Sequence, residues 1–187
     1  PFAVDSATDV SDLFDQVVRR LRGFEEIEKP ELREVSCQIQ VELGELSRKR
    51  SVSGLAQTHQ LTLSPSDFGP HNIIYQPGSG EYRIIDLEFF GVDDAHKLIG
   101  DAILNPQMLW TPSLLGQFLD EMRQVFDFSW ERLTEFLPFL SLKWAVIVSS
   151  RMARLPMSRR VNHSTQKLAD LAGFYVETAR ARTADGV

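Results

Sequence analysis

Apolar residues recur at helical spacing over most of this chain, and the pattern changes in one central segment. Near the N-terminus the apolar positions follow i, i+3, i+4, i+7 spacing, which predicts two amphipathic helices over 6–22 and 30–47. A polar, aperiodic stretch over 48–59 predicts a loop. We expect both helices to serve as scaffold.

The C-terminal half returns to helical periodicity, which predicts a helical bundle over 94–183. Thr111 followed by Pro112 is typical of a helix N-terminus, because a threonine caps the helix and a proline fits its first turn. A further helix begins near Ser129, and we expect Pro138 to bend or break it. The remaining helices are predicted over 94–104 and 162–182.

The central segment, 60–91, has the sequence pattern of short strands and turns. Residues 61–63 (LTL) form an extended run, 73–75 (IIY) are β-branched and aromatic, and 77–80 (PGSG) mark a turn before a second β-like run that ends at Asp86. If that strand continued, Asp86 and Glu88 would face the same side. The chain is therefore predicted to be one α+β domain, 1–187, mainly helical with a small β-hairpin.

Composition narrows the classes of function. The chain has 187 residues and 43% hydrophobic content, with 20 basic and 26 acidic side chains. Residues 51–142 carry 4 basic and 12 acidic groups, so this region favours metal ions or a cationic partner. Nucleic-acid binding is disfavoured by the charge and by the lack of a basic, aromatic-rich strand.

Several other site types are also disfavoured. The single cysteine, Cys37, excludes an internal disulfide, and its helical context predicts a buried structural thiol. The four histidines show no zinc-ligand spacing. No secretory signal and no uncharged apolar run of about 18 residues is visible, so we expect a cytoplasmic protein with no membrane partner.

The candidate chemistry lies in the central segment. Asp67 and Asn72 stand five positions apart on a predicted loop, and Asp86 follows fourteen positions after the asparagine. Phosphoryl transfer requires a carboxylate that accepts a hydroxyl proton, and an asparagine and a carboxylate that hold magnesium on phosphates. The predicted loop and hairpin would bring these three side chains to the same end.

These segments resemble a known superfamily. Residues 66–72 (SDFGPHN) together with 84–88 (IIDLE) look like the catalytic and metal-binding segments of the aminoglycoside phosphotransferase and choline kinase superfamily. The Asp93-Asp94 pair before a helix is similar to the acidic turn that follows there. The resemblance implies the helical C-terminal lobe of a protein-kinase-like fold and ATP-dependent phosphorylation of a small molecule.

The resemblance also implies roles for individual residues. Asp67 would be the catalytic base, and Asn72 and Asp86 would hold Mg²⁺ on the phosphates of ATP. The substrate would be a small molecule with a hydroxyl acceptor, and the acidic middle region suits a cationic or aminated one. Three further carboxylates are candidates for a second metal or a substrate ammonium group: Glu88, Asp93 and Asp94.

Two departures from the family pattern leave an alternative open. The family usually has His-Gly-Asp where this chain has Pro65-Ser66-Asp67. A β-rich N-terminal lobe with a glycine-rich loop and a lysine is also expected before residue 1. Without these parts, the chain could be a kinase-like binding or scaffolding module. A protein kinase is disfavoured because Leu87-Glu88 replaces Phe-Gly after Asp86 and no activation segment follows.

Overall fold

A computed structural model of the chain describes residues 6–25, 30–50, 60–153 and 163–184. Within these ranges the protein forms six α-helices and two small antiparallel sheets of two strands each. The predicted class, mainly helical α+β, is confirmed at this level. The helices are α1 (Val10–Glu25), α2 (Pro30–Arg50), α3 (Ala95–Leu104), α4 (Pro112–Val125), α5 (Trp130–Ala153) and α6 (His163–Ala184).

Helix boundaries differ from the predicted ones where side chains or packing override periodicity. Helix α1 begins at Val10, because the Asp9 carboxylate accepts hydrogen bonds from the backbone N–H groups of Ser11 and Asp12. Helix α2 continues to Arg50, so the first three residues of the predicted 48–59 loop are helical. Residues 51–59 of that loop lie outside the described ranges.

Helix α5 is continuous through Pro138, so of the two expected effects, a bend or a break, the break does not occur. A proline inside a helix removes one backbone hydrogen bond and strains the preceding turn, at a cost of about 3 kcal/mol. The residues on both sides of Pro138 are buried, from Phe136 to Lys143. Burial of a leucine or phenylalanine side chain stabilises a fold by about 1.5–3 kcal/mol, so a few such residues outweigh the cost.

The strands of one sheet enclose the candidate residues Asp67, Asn72 and Asp86 in sequence, and the other sheet lies between Asn72 and Asp86. Strands β2 (Ile73–Gln76) and β3 (Glu81–Ile84) form the predicted hairpin, in which Ile73 pairs with Ile84. Strands β1 (Leu61–Ser64) and β4 (Gly91–Asp94) also pair antiparallel, with Leu61 opposite Asp94. The second pairing was not predicted, because the Gly-Val-Asp-Asp run of β4 has weak strand propensity.

The chain divides into two compact units. Unit 1 consists of Pro1–Asp12 and Thr58–Phe136 and contains both sheets, α3 and α4. Its described buried apolar residues include Ala7, Ala95, Ile99, Ala102 and Leu133. All the candidate site residues belong to this unit.

Unit 2 consists of Leu13–Gln57 and Leu137–Val187 and is helical throughout its described part. Helix α2 contacts α6 here, and the Arg180 guanidinium lies 2.9 Å from the Glu42 carboxylate. The apolar core of this unit includes Leu13, Val17, Ile39, Leu43, Leu140, Val146, Ala172 and Val176.

The expectation of a buried cysteine is wrong. Cys37 is exposed on α2, whereas Ser36, Ile39 and Leu43 of the same helix are buried. Neighbouring positions on a helix point about 100° apart, so a position beside the buried stripe can face solvent. The amphipathic pattern was correct, but it did not identify the side on which Cys37 lies.

One helix in the described part of the chain is long and apolar enough to cross a membrane. The segment Trp130–Arg151 of α5 is 22 residues long, and most of its apolar part is buried within the protein. A core helix that is mostly buried meets the same criterion of length and composition.

Candidate functional site

The loop between β1 and β2 carries Asp67 and begins with an unusual backbone conformation. Ser66 has a φ of 58°, in the left-handed region that side chains other than glycine rarely adopt. Its N–H donates to Ser64 Oγ at 3.0 Å, and the N–H of Asp67 donates to the Pro65 carbonyl at 2.7 Å. These bonds form a tight turn immediately before the candidate base.

Asn72 closes the loop. Its side-chain Nδ2 donates to the backbone carbonyl of Asp67 at 2.9 Å, and its N–H donates to the Gly69 carbonyl at 3.0 Å. A carbonyl can only accept, so the amide nitrogen must face Asp67 and the amide oxygen Oδ1 is directed elsewhere. Asn72 is buried, and its Oδ1 is the atom of this side chain that can bind a cation.

Asp86 is brought next to Asn72 by the hairpin. Pairing of Ile73 with Ile84 is extended by a hydrogen bond of 2.9 Å from the N–H of Ile85 to the carbonyl of Asn72. Asp86 follows directly, is exposed, and has a φ of 57°. The structure therefore connects the main chain around Asp67, Asn72 and Asp86 through two hydrogen bonds.

The left-handed conformation of Asp86 also ends the strand. Strand β3 stops at Ile84, so the alternation of faces does not continue to Glu88. The expectation that Asp86 and Glu88 face the same side depended on a continued strand, and this condition is not met. Glu88 is exposed and lies in a turn closed by a hydrogen bond from the Phe90 N–H to the Leu87 carbonyl. Its role at a metal or substrate stays a prediction.

The Asp67 carboxylate is partly open to solvent. Its side chain is 37% exposed, and its Oδ2 lies 3.4 Å from Nε2 of His71, four positions later. At this distance and exposure the contact is weak and leaves the carboxylate accessible. His71 was not among the candidate residues, although the four-residue spacing within a short turn is a signal that could have indicated it.

Gly69 is closely packed against two side chains inside the loop. A Cβ at this position would lie 2.7 Å from Nδ2 of Asn105 and 2.7 Å from Cε1 of His71. Asn105 donates from the same Nδ2 to the carbonyl of Phe68 at 3.0 Å, so the end of α3 supports the loop directly. A side chain at position 69 would displace this support.

Asp93 is buried and its oxygens are occupied by donors of the protein itself. The Ala7 N–H donates to Oδ1 at 2.7 Å, and the Ser66 hydroxyl and the Lys97 ammonium donate to Oδ2 at 3.0 Å and 2.9 Å. Lys97 also lies 3.2 Å from Asp101 Oδ2. These contacts give Asp93 a structural role, and its proposed part in metal or substrate binding stays a prediction.

Lys97 was not recognised from the sequence. It is fully buried between the carboxylates of Asp93, in strand β4, and Asp101, one turn later on α3. Burial by itself would lower the pKa of Lys97, but the two carboxylates outweigh it, so the pKa is raised above 10.5. The i, i+4 spacing of the three charges was visible, but such spacing is common on solvated helix faces.

Asp94 caps α3. Its Oδ1 accepts from the N–H of His96 at 2.8 Å and lies 3.0 Å from His96 Nδ1, and its Oδ2 accepts from Arg132 Nη2 at 3.1 Å. Burial tends to raise the pKa of Asp94, but the hydrogen bonds from His96 and the Arg132 charge lower it below 3.8. Asp94 is therefore an ionised helix cap, and its predicted role at a second metal or substrate is likewise untested.

The tautomer of His96 follows from its two contacts. Nε2 accepts a hydrogen bond of 2.9 Å from the Ser129 N–H, so this nitrogen carries no proton. Nδ1, which faces the Asp94 carboxylate at 3.0 Å, then carries the proton and donates it. A neutral His96 thus links the start of α3 to the segment that precedes α5.

No group of three or more His, Cys, Asp or Glu side chains within the described ranges is arranged to hold a metal ion. Asn72 and Asp86 combine an amide oxygen with one carboxylate, which is a ligand set that magnesium uses together with waters and substrate phosphates.

No family model matches the chain, and no curated protein is significantly similar to it in sequence.

Proposed function

We propose that this chain is the C-terminal lobe of an ATP- and Mg²⁺-dependent small-molecule phosphotransferase with a protein-kinase-like fold. The observation that carries the proposal is the linked loop and hairpin. Asn72 bonds to the Asp67 carbonyl, and Ile85 bonds to the Asn72 carbonyl, directly before Asp86. One partly exposed carboxylate and two potential oxygen ligands are thereby linked through two hydrogen bonds.

Each residue has a distinct task in this proposal. Asn72 Oδ1 and the Asp86 carboxylate would hold Mg²⁺, which supplies neutralisation of negative charge on the phosphates. Asp67 orients the substrate hydroxyl and accepts its proton as the oxygen attacks the γ-phosphorus. The new oxygen–phosphorus bond forms as the bond to the leaving ADP oxygen breaks.

The charge distribution supports a cationic or aminated substrate. The middle region, 51–142, holds three times as many acidic as basic residues, and Asp86 and Glu88 are both exposed. A field of this sign attracts cations and magnesium, whereas nucleotide phosphates require positive groups of their own. A β-rich N-terminal lobe with a lysine is the proposed source of those groups.

A second candidate is a kinase-like binding or scaffolding module without transfer activity. It is favoured by Pro65, which stands where the family usually has the histidine that helps to brace the catalytic loop. The two candidates share the same site and the same metal ligands. They differ in whether Asp67 takes part in turnover.

Binding of Mg²⁺-ATP tests the site in both candidates. In the natural polypeptide that contains this chain, at its full length, Asp86→Asn should weaken Mg²⁺-ATP affinity by about tenfold or more, because a charged ligand is lost. Isothermal titration calorimetry measures the effect. Asp120→Asn, an exposed aspartate on α4 with a side chain that is 69% exposed, is the matched control and should bind as the unaltered protein does.

Turnover of ATP with candidate amino-alcohol substrates distinguishes the phosphotransferase from the binding or scaffolding module. Asp67→Asn should lower kcat by about 10²-fold or more and leave Mg²⁺-ATP affinity nearly unchanged, because general-base catalysis acts on the chemical step. Unchanged nucleotide affinity in Asp86→Asn would overturn the phosphotransferase and leave the scaffolding module. Intact Mg²⁺-ATP binding without any Asp67-dependent transfer would reject the phosphotransferase and support the binding module.

A further inference from the structure

The Lys97 cluster, defined as Asp93, Lys97 and Asp101, is a group of buried charges within the described part of unit 1. The Lys97 side chain is 0% exposed, and its Nζ lies 2.9 Å from Asp93 and 3.2 Å from Asp101. Removing three charges from water is costly, and in some proteins such groups are retained because their hydrogen bonds determine a particular arrangement. The arrangement here includes the loop that carries Asp67.

The connection to the loop is the hydrogen bond from Ser66 Oγ to Asp93 Oδ2, at 3.0 Å. It is buried and its acceptor is a carboxylate, and such bonds are stronger than neutral ones. The same carboxylate oxygen accepts from Lys97 Nζ, which holds the acceptor in place. Ser66 directly precedes the proposed base, Asp67.

Ser66 also requires a restraint. Its φ of 58° is unfavourable for a residue with a Cβ, and such a conformation persists only where the surroundings enforce it. Two bonds restrain it: the N–H of Ser66 donates to Ser64 Oγ, and its hydroxyl donates to Asp93. The first bond is local, whereas the second ties the turn to the buried cluster.

The cluster also joins segments that are far apart in sequence. Asp93 lies at the end of β4 and accepts from the N–H of Ala7, 86 residues earlier, while Lys97 and Asp101 belong to α3. The turn at Ser66 is thus attached to a carboxylate that is also held by the backbone of Ala7 and by the ammonium group of Lys97.

We propose that the Lys97 cluster is a positioning device for the catalytic loop: through Asp93 it holds the Ser66 hydroxyl, and thereby sets the orientation of Asp67. Lys97, Asp93 and Ser66 are positioning residues, since none of them touches the reacting atoms. The consequence for catalysis rests on the proposed function, whereas the restraint on the loop does not. The competing explanation is that the cluster stabilises unit 1 and leaves the loop unaffected.

The experiment uses two variants that remove the hydroxyl and leave the buried charges intact. Ser66→Ala keeps the unfavourable φ and loses the bond, whereas Ser66→Gly loses the bond and tolerates the φ. The control is Ser141→Ala, which removes a buried hydroxyl that donates at 2.8 Å to the Leu137 carbonyl in unit 2. Amide hydrogen exchange is followed in the loop at Ser66, Asp67 and Asn72, and in α3 as the internal reference.

We expect exchange at the loop amides to become about tenfold faster in both Ser66 variants, relative to α3, because one charge-assisted hydrogen bond no longer restrains the turn. The Ser141 control should show no such change in the loop. In the natural full-length polypeptide the same two variants should lower kcat about tenfold with the KM for Mg²⁺-ATP nearly unchanged. A merely structural role would not separate the two constants in this way.

The outcomes distinguish this proposal from the proposed function. Loop exchange that is unchanged relative to α3 in both Ser66 variants overturns the positioning role, whatever the activity. Faster exchange in the loop and in α3 alike also overturns it, since the cluster would then stabilise the whole unit. Faster exchange confined to the loop of a protein without any transfer activity would support the restraint and reject the phosphotransferase.

Discussion

At the scale of single residues, Lys97 shows how burial changes the contribution of an ion pair to stability. The spacing of Asp93, Lys97 and Asp101 resembles that of an exposed ion-pair ladder, in which each pair contributes a few tenths of a kcal/mol. In the structure all three side chains are buried, so each charge depends on its partners. Removal of the lysine would leave two carboxylates without their shared cation.

Lys97→Met should therefore lower the free energy of unfolding by about 3–5 kcal/mol, as measured by urea denaturation. Asp120→Asn, which disrupts the exposed pair with Arg123, is the control and should cost less than about 1 kcal/mol. A loss below about 1 kcal/mol in Lys97→Met would contradict the assigned role of the buried ammonium group.

The difference in the free energy of unfolding between the protein and Lys97→Met also depends on pH, and the sign of this dependence follows from the pKa of Lys97. The pKa of Lys97 is raised in the folded protein, so its stabilisation is complete below the unfolded-state pKa of about 10.4 and is lost as the pH rises through the folded-state value. The difference in stability between the protein and Lys97→Met should thus be constant at neutral pH. It should shrink only in alkaline solution, above pH 10.5.

At the scale of elements, local signals predicted most of the helices and the hairpin. Thr111 and Pro112 mark the start of α4 as expected, and the Thr111 hydroxyl accepts from the Leu114 N–H at 3.2 Å. The hairpin could be predicted because turn residues separate two β-branched runs. The β1–β4 pairing could not, since it joins residues about thirty positions apart with little local strand preference.

Thr111→Ala should lower stability by about 1 kcal/mol, because the N–H of Leu114 loses its capping partner. Faster hydrogen exchange in the first turn of α4 would report the loss. Ser113→Ala, two positions later in the same exposed turn, is the matched control and should change exchange little. Equal effects in the two variants would mean that the threonine hydroxyl is not a cap.

At the scale of the whole molecule, an acidic chain carries an exposed apolar hairpin. The net charge is −6 at pH 7 and falls to zero near pH 5.2. Tyr75 and Tyr82 stack on each other at 4.8 Å between ring centroids, and both remain exposed together with Ile74 and Ile84. Charge repulsion opposes association through such a surface only when the pH is away from 5.2.

Light scattering should therefore show reversible self-association that is strongest near pH 5.2 and weaker at pH 7. Tyr82→Gln should reduce the scattering near pH 5.2, because this side chain is 71% exposed within the apolar hairpin. Phe174→Gln on α6 of unit 2, also an exposed aromatic residue, is the comparison and should reduce it less. Scattering unaffected by Tyr82→Gln would exclude the hairpin as the surface of contact.

The sequence by itself determined the helical periodicity, the hairpin, the α+β class, and the spacing of Asp67, Asn72 and Asp86, because these features depend on residues close together in the chain. Tertiary structure decided which charges are buried, on which side Cys37 lies, and that β4 pairs with β1. It also decided that Ser66 bonds to Asp93 across 27 positions. The reason is physical: burial and long-range pairing depend on which surfaces meet, and local periodicity carries no information about that.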